Sequence, residues 1–239
     1  MKTIAIMQPY FLPYIGYWQL MSSVDLFIVY DNIQYTKKGW FNRNQFLMNG
    51  KPLIFTIPLQ KGSDYLDVCQ RLVVGDTKPR TKILNQLKNA YSKAPMFSET
   101  YPLMHQLFKP DTFELSGKKN LFEFIYNSIL KIKEKFNIKT KIIKSSLIDI
   151  DHSLKSQDKV IALCKAVNAN RYINMINGAG LYSSEDFNKA GLKLSFLKQH
   201  ITEYKQFNND FVPYLSILDV MMFNDKQTVI DMMNEYTLH

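Results

Sequence analysis

At 239 residues, against about 150 per domain, the chain is long enough to bury its own core as one domain. With 46% hydrophobic and 21% charged residues it falls outside the disordered, collagenous and coiled-coil classes. Its two cysteines, Cys69 and Cys164, are too few for a disulfide scaffold or a Cys-rich zinc site and fit a reducing cytoplasm. A formal charge of +9 suits anionic partners, but the lysines of residues 118–141 read as a solvated helical face, and no nucleic-acid partner is expected.

Residues 3–24 carry no charge and match a membrane span in length, yet Pro9 and Pro13 break a helix there and Gln8 and Gln19 are costly in hydrocarbon. The apolar run at 4–7 is too short for a secretory signal. A soluble, unprocessed, cytoplasmic protein without membrane insertion is expected.

Residues 4–7 form a β-branched run cut by Gln8-Pro9, the pattern of a buried strand entering a loop. Pro13 starts a helix from Tyr14, whose apolar face is Ile15, Trp18, Leu20 and Met21, and 25–30 is a second strand. Residues 3–30 are therefore a βαβ unit, parallel by implication. Residues 31–44 are polar and aromatic, the composition of a functional loop. Segments 52–59 and 68–74 read as a hairpin joined by the Gly62 turn or as a pair of edge strands.

Helices follow at 78–91, 101–108 and 121–136, with Ala94-Pro95 breaking the first two. Alternation then returns, with strands at 142–145, 171–176 and 192–197, a helix at 153–167 and an apolar helix at 215–222. The expected fold is α/β: a Rossmann-like, doubly wound, mostly parallel sheet in one domain. Residues 76–137 are a helical insertion between α/β parts 1–75 and 138–239. Ligands of such sheets sit at the carboxyl ends of strands, near the switch in strand order.

Three constellations could carry chemistry. Gln8, Tyr10 and Gly16 lie where a strand passes into a helix, and a glycine at a helix start admits phosphate to free amides. Tyr14-Ile15-Gly16-Tyr17, followed by Trp18-Gln19-Leu20-Met21, resembles the His-x-Gly-His motif of nucleotidylyltransferases and pantothenate synthetases, with both histidines replaced by tyrosine. An aromatic helix start packed on the sheet is the structural alternative. In the second group, Arg43 offers a planar fork, Lys37 a mobile charge and Trp40 a flat surface, with Gln34, Asn42 and Asn44 around them. The third, Asn177, Gly178 and Gly180, forms a glycine turn after a strand, able to face the first loop across the switch point. The four histidines show no ligand spacing, so no protein metal site is expected.

Six separated segments together resemble the WbqC-like family, found with bacterial surface-polysaccharide genes. They are Gln8 to Tyr17, Asp31 to Tyr35 with Lys37, Trp40 to Asn44, Thr56-Ile57-Pro58, Tyr91 with Ala94-Pro95, and Ser216 to Asp219. The resemblance implies a role in O-antigen precursor synthesis. The reaction joins an amino acid such as glycine to the amino group of a nucleotide-linked amino sugar, using ATP and Mg2+. Tyr14, Tyr17, Lys37 and Arg43 are then expected in catalysis, the first and third groups at the nucleotide, and Gln34, Trp40, Asn42, Asn44 and Asp219 at the substrate. The alternative is a noncatalytic protein that binds the nucleotide sugar.

Overall fold

The computed structural model describes residues 1–109, 114–115 and 118–239. The first βαβ unit consists of β1 (Thr3–Met7), α1 (Ile15–Ser22) and β2 (Leu26–Val29). A long excursion follows, through the hairpin β3 (Arg43–Met48) and β4 (Lys51–Thr56) and helices α2 (Lys78–Tyr91) and α3 (Phe97–Leu107). It continues with the two-residue strands β5 (Glu114–Leu115) and β6 (Lys118–Lys119) and ends in α4 (Leu121–Lys135). The sheet resumes with β7 (Lys141–Lys144), α5 (Ser156–Ala166), β8 (Arg171–Met175), α6 (Ser184–Lys189) and β9 (Lys193–Gln199). The chain closes with α7 (Ile217–Phe223), α8 (Lys226–Met233) and β10 (Tyr236–Leu238).

The main sheet runs β10-β9-β8-β1-β2-β7, parallel throughout except for the β9–β10 pair. The chain steps from β1 outward through β2 to β7, then returns to β8 on the other side of β1. This is the reversal of a doubly wound, Rossmann-like sheet. Both faces are covered, as parallel sheets require. Side-chain alternation divides them: Ala5, Phe27 and Val29 join the core under α1, the hairpin, α4, α7 and α8, whereas Ile4, Ile6, Leu26 and Ile28 meet Val160 and Leu163 of α5 and Phe187 of α6. No helix among the described residues is long and apolar enough to cross a membrane.

Three expectations change. The hairpin pairs β3 with β4, so Arg43 and Asn44 lie on a strand, not in a loop. Its turn is Asn49-Gly50, both at positive φ (50° and 74°), the pair that a two-residue hairpin turn demands. The expected pairing of 52–59 with 68–74 shrinks to a short link, Gln60 N to Leu72 O and Val74 N to Pro58 O, because Val68–Gln70 closes into a 3-10 turn. α3 begins at Phe97, four residues before the expected start, and α6, α8 and β10 add to the elements expected from sequence.

Candidate functional site

β2 and β8 flank β1, and the segments after them border a crevice of about 750 Å³ at the carboxyl edge of the sheet. One wall is the turn after β2, with Tyr30, Asn32 and Gln34, joined by Asp67. A second runs from His152 into the first turn of α5, with Lys155 and Lys159. Leu181 and Tyr182 supply the third. A smaller cleft, about 580 Å³, lies at the amino-terminal edge among the last residues of α1, α4 and α8. Helix carbonyl ends face it, an electrostatic setting opposite to an anion site.

α5 opens without a side-chain cap: Lys155 holds the N-cap position, and Ser156 takes φ +47°. Uncapped amide donors at a helix start, with the positive end of the helix dipole, favour anions, and two lysines reinforce them. Lys159 Nζ lies 5.7 Å above the Tyr30 ring and donates to His152 O at 3.2 Å. Burial, and secondarily the neighbouring Tyr182 phenol, push the Tyr30 hydroxyl above its ordinary range, so it remains a neutral hydrogen-bonding group.

The first two walls are tied together. Asn32 Nδ2 donates to His152 Nδ1 at 2.9 Å, and His152 Nε2 lies 3.1 Å from Ile148 O, which fits the tautomer protonated at Nε2. Behind Asn32, buried Asp31 accepts from Ser146 N (2.9 Å) and Ser145 Oγ (2.9 Å) at Oδ1 and from the Ser146 hydroxyl at Oδ2. These bonds join the end of β2 to the segment after β7 and set the angle at which the chain enters the crevice wall.

Of the residues expected at a site, Gln34 lines the crevice, with its amide donating to Asp64 O at 3.0 Å. Asn177, Gly178 and Gly180 lie in the 3-10 turn that leads to the crevice residues Leu181 and Tyr182, and a side chain at Gly180 would meet open space. The first constellation sits elsewhere. Tyr17 is buried and donates to Gln8 O at 3.2 Å, while Tyr10 donates to Gln8 Oε1 at 2.8 Å. Gly16 is covered by the Tyr14 ring, which occupies the approach expected for phosphate.

The second constellation binds the chain to itself. Asn42 donates to Ile57 O at 2.7 Å and accepts from Tyr35, and Asn44 donates to Phe11 O and Leu12 O. Arg43 lies over the Trp40 ring at 5.4 Å, its fork holding the carbonyls of Gly39 and Lys38. Lys37 pairs with Asp64 at 2.8 Å on the surface. Asp219 is fully buried, accepting from Tyr91 (2.5 Å), Tyr204 (2.7 Å) and Gln206 (2.7 Å). Sequence reasoning passed over Tyr30, Asp67, His152, Lys155 and Lys159. The signal available for the last three was a polar turn entering a helix directly after a strand region.

Strand order and crevice together define a Rossmann-like α/β protein with a ligand-sized cleft at the switch point. The model of the WbqC-like protein family matches residues 8–231, and the chain belongs to that family. It is also similar to the uncharacterized protein Rv1507c of Mycobacterium tuberculosis (strain ATCC 25618 / H37Rv), with 26% identity over 226 residues covering 94% of each chain.

Proposed function

We propose that the protein binds a nucleotide-linked sugar in the switch-point crevice, within surface-polysaccharide precursor synthesis. The observation that carries this reading is the uncapped start of α5 beside Lys155 and Lys159, inside a cavity of about 750 Å³. That volume suits a small-molecule ligand, and the amides and lysines suit its phosphates. Titration with uridine diphosphate glucose, followed by calorimetry and by NMR of the crevice residues, tests it. Lys155→Ala and Lys159→Ala should each weaken binding about tenfold, the share of a charge-assisted hydrogen bond, and added salt should weaken it further. Wild-type affinity in both variants would overturn the reading.

The proposed reaction follows from the family resemblance. An amino-acid carboxylate takes AMP from ATP and releases pyrophosphate. The sugar amine then displaces AMP, forming the amide and releasing a proton. Among the described residues, no group of three or more His, Cys, Asp or Glu side chains could hold a metal ion, so Mg2+ would enter on the phosphates. A noncatalytic binding role is the second reading, supported by the buried internal bonds of Tyr17 and Asp219. Mass spectrometry after incubation with ATP, glycine and uridine diphosphate glucosamine separates them: a glycylated sugar with AMP identifies the enzyme, and binding without product the binding protein.

A further inference from the structure

Behind the third wall of the crevice, the hydrogen bonds of β8 fix the direction of one proton. Asn174 accepts from Met175 N at 2.6 Å through Oδ1, which sets the orientation of its amide. The two protons of Nδ2 therefore go to two phenols, Tyr172 and Tyr182, each at 2.8 Å. Those phenol oxygens lie 3.2 Å from each other.

Tyr172 is fully buried and stacks on Phe187 of α6 with ring centroids 5.6 Å apart. A buried hydroxyl without an acceptor carries a desolvation cost, and among the described residues the one oxygen that can take its proton is that of Tyr182. Tyr172 is therefore the donor of the pair. The Tyr182 oxygen then receives two protons, one from Tyr172 and one from Asn174, and a hydroxyl has two lone pairs with which to accept them. Its own proton has no acceptor among the described residues. Tyr182 lines the crevice, and Ser183 N beside it donates to Gln157 Oε1 in the first turn of α5, which holds this wall close to the helix start.

We infer that Tyr182 is a ligand-binding residue whose hydroxyl donates to the ligand and accepts nothing from it. This rests on the reading of the crevice as a phosphate-ligand site. The group that meets Tyr182 must be an acceptor, and beside the α5 amides, Lys155 and Lys159 that group is a phosphate oxygen, to which a phenol makes a short, charge-assisted bond. Tyr30 differs from it. Its hydroxyl has no hydrogen-bond partner among the described residues and is free to donate or to accept, so of the two crevice phenols the fold commits Tyr182 alone.

Inorganic pyrophosphate is the probe, because it carries phosphate oxygens without a sugar or a base. Titrated at about pH 6, it should shift the NMR signals of the crevice residues in wild type, and Tyr182→Phe should weaken its binding about tenfold, the share of a hydrogen bond to a charged group. Phenylalanine at this position also leaves the buried Tyr172 proton without an acceptor and lowers the thermal midpoint. A second protein, with 3-fluorotyrosine incorporated at position 182, keeps the whole network. Fluorine beside the hydroxyl makes the proton a stronger donor and the oxygen a weaker acceptor, so pyrophosphate should bind this protein about twofold more tightly than wild type. Equal or weaker binding by the fluorinated protein, or wild-type affinity in Tyr182→Phe, would overturn the inference and leave the phosphate site standing. If pyrophosphate perturbs no crevice residue of the wild type, the phosphate reading falls and the inference with it.

Discussion

Asn44 on β3 donates both protons of its side-chain amide to successive carbonyls of the loop after β1, Phe11 O at 2.8 Å and Leu12 O at 2.7 Å. Leu12 stands at φ +46°, an unusual conformation for a bulky residue, and a buried one. Ser216 Oγ holds the same Leu12 carbonyl at 2.7 Å from the far end of the chain. Two clamps thus maintain a backbone geometry that the loop would not adopt alone.

Asn44→Leu should therefore destabilise the fold by about 2–4 kcal/mol, since a buried carbonyl loses its donor and the loop loses a clamp. Chemical denaturation measures this. A change under about 0.5 kcal/mol would show that Ser216 suffices.

Asp219 provides a pH-dependent contribution. Burial raises its carboxyl pKa, outweighing the bonds from Tyr91, Tyr204 and Gln206 that favour the carboxylate. The folded chain then keeps this proton to higher pH than the unfolded chain, so the residue's contribution to stability declines as pH rises from about 3.9, the ordinary carboxylate value, to the raised native one. The free-energy difference between wild type and Asp219→Asn should fall across that window and level off above it. A difference that grows with pH contradicts the assignment.

A Cβ on Gly16 would sit 2.5 Å from Tyr14 Cε2 and 2.8 Å from its hydroxyl. Gly16→Ala should displace the ring from its 6.1 Å contact with Tyr214. In a double-mutant cycle with Tyr14→Ala, a coupling of about 1 kcal/mol is expected, with ligand affinity in the crevice unchanged. Additive effects on stability would mean that the ring moves aside freely.

Lys37 and Arg43 should behave differently despite their equal charge. The Lys37–Asp64 pair is solvent-exposed, and Lys37→Met should change stability by less than about 0.5 kcal/mol. Arg43→Lys loses the fork that grips two carbonyls and should cost about 1 kcal/mol, with faster proteolysis between Lys37 and Phe41. Equal proteolysis rates in the two variants would remove the clamp role of Arg43.

The parallel strands were legible because each is short, apolar and bounded by polar turns. Ile4 to Ile6 and Leu26 to Val29 are buried on both faces, as their unbroken apolar runs predict for parallel strands. β3 was obscured because Arg43, Asn44 and Gln45 have the composition of a loop, and their alternation emerges only when Asn44 is seen turned into the core. The polar density of residues 31–44 was a true signal of demanding chemistry, but its amides satisfy backbone carbonyls of distant segments. The crevice residues were hidden for the opposite reason. Lys155 and Lys159 resemble any solvated helix start until strand order brings them beside Tyr30 and Asp67.

The clamps on Leu12 also bear on biosynthesis. The hydroxyl that completes them belongs to a residue 204 positions downstream, and Gln19 of α1 donates to Met232 O, 213 positions away. During translation, at about 5–20 residues per second, the strained loop has no second anchor until the ribosome has passed Ser216. The first strand and helix to be synthesised therefore reach their final geometry among the last, with their aromatic side chains in need of shelter in the interval.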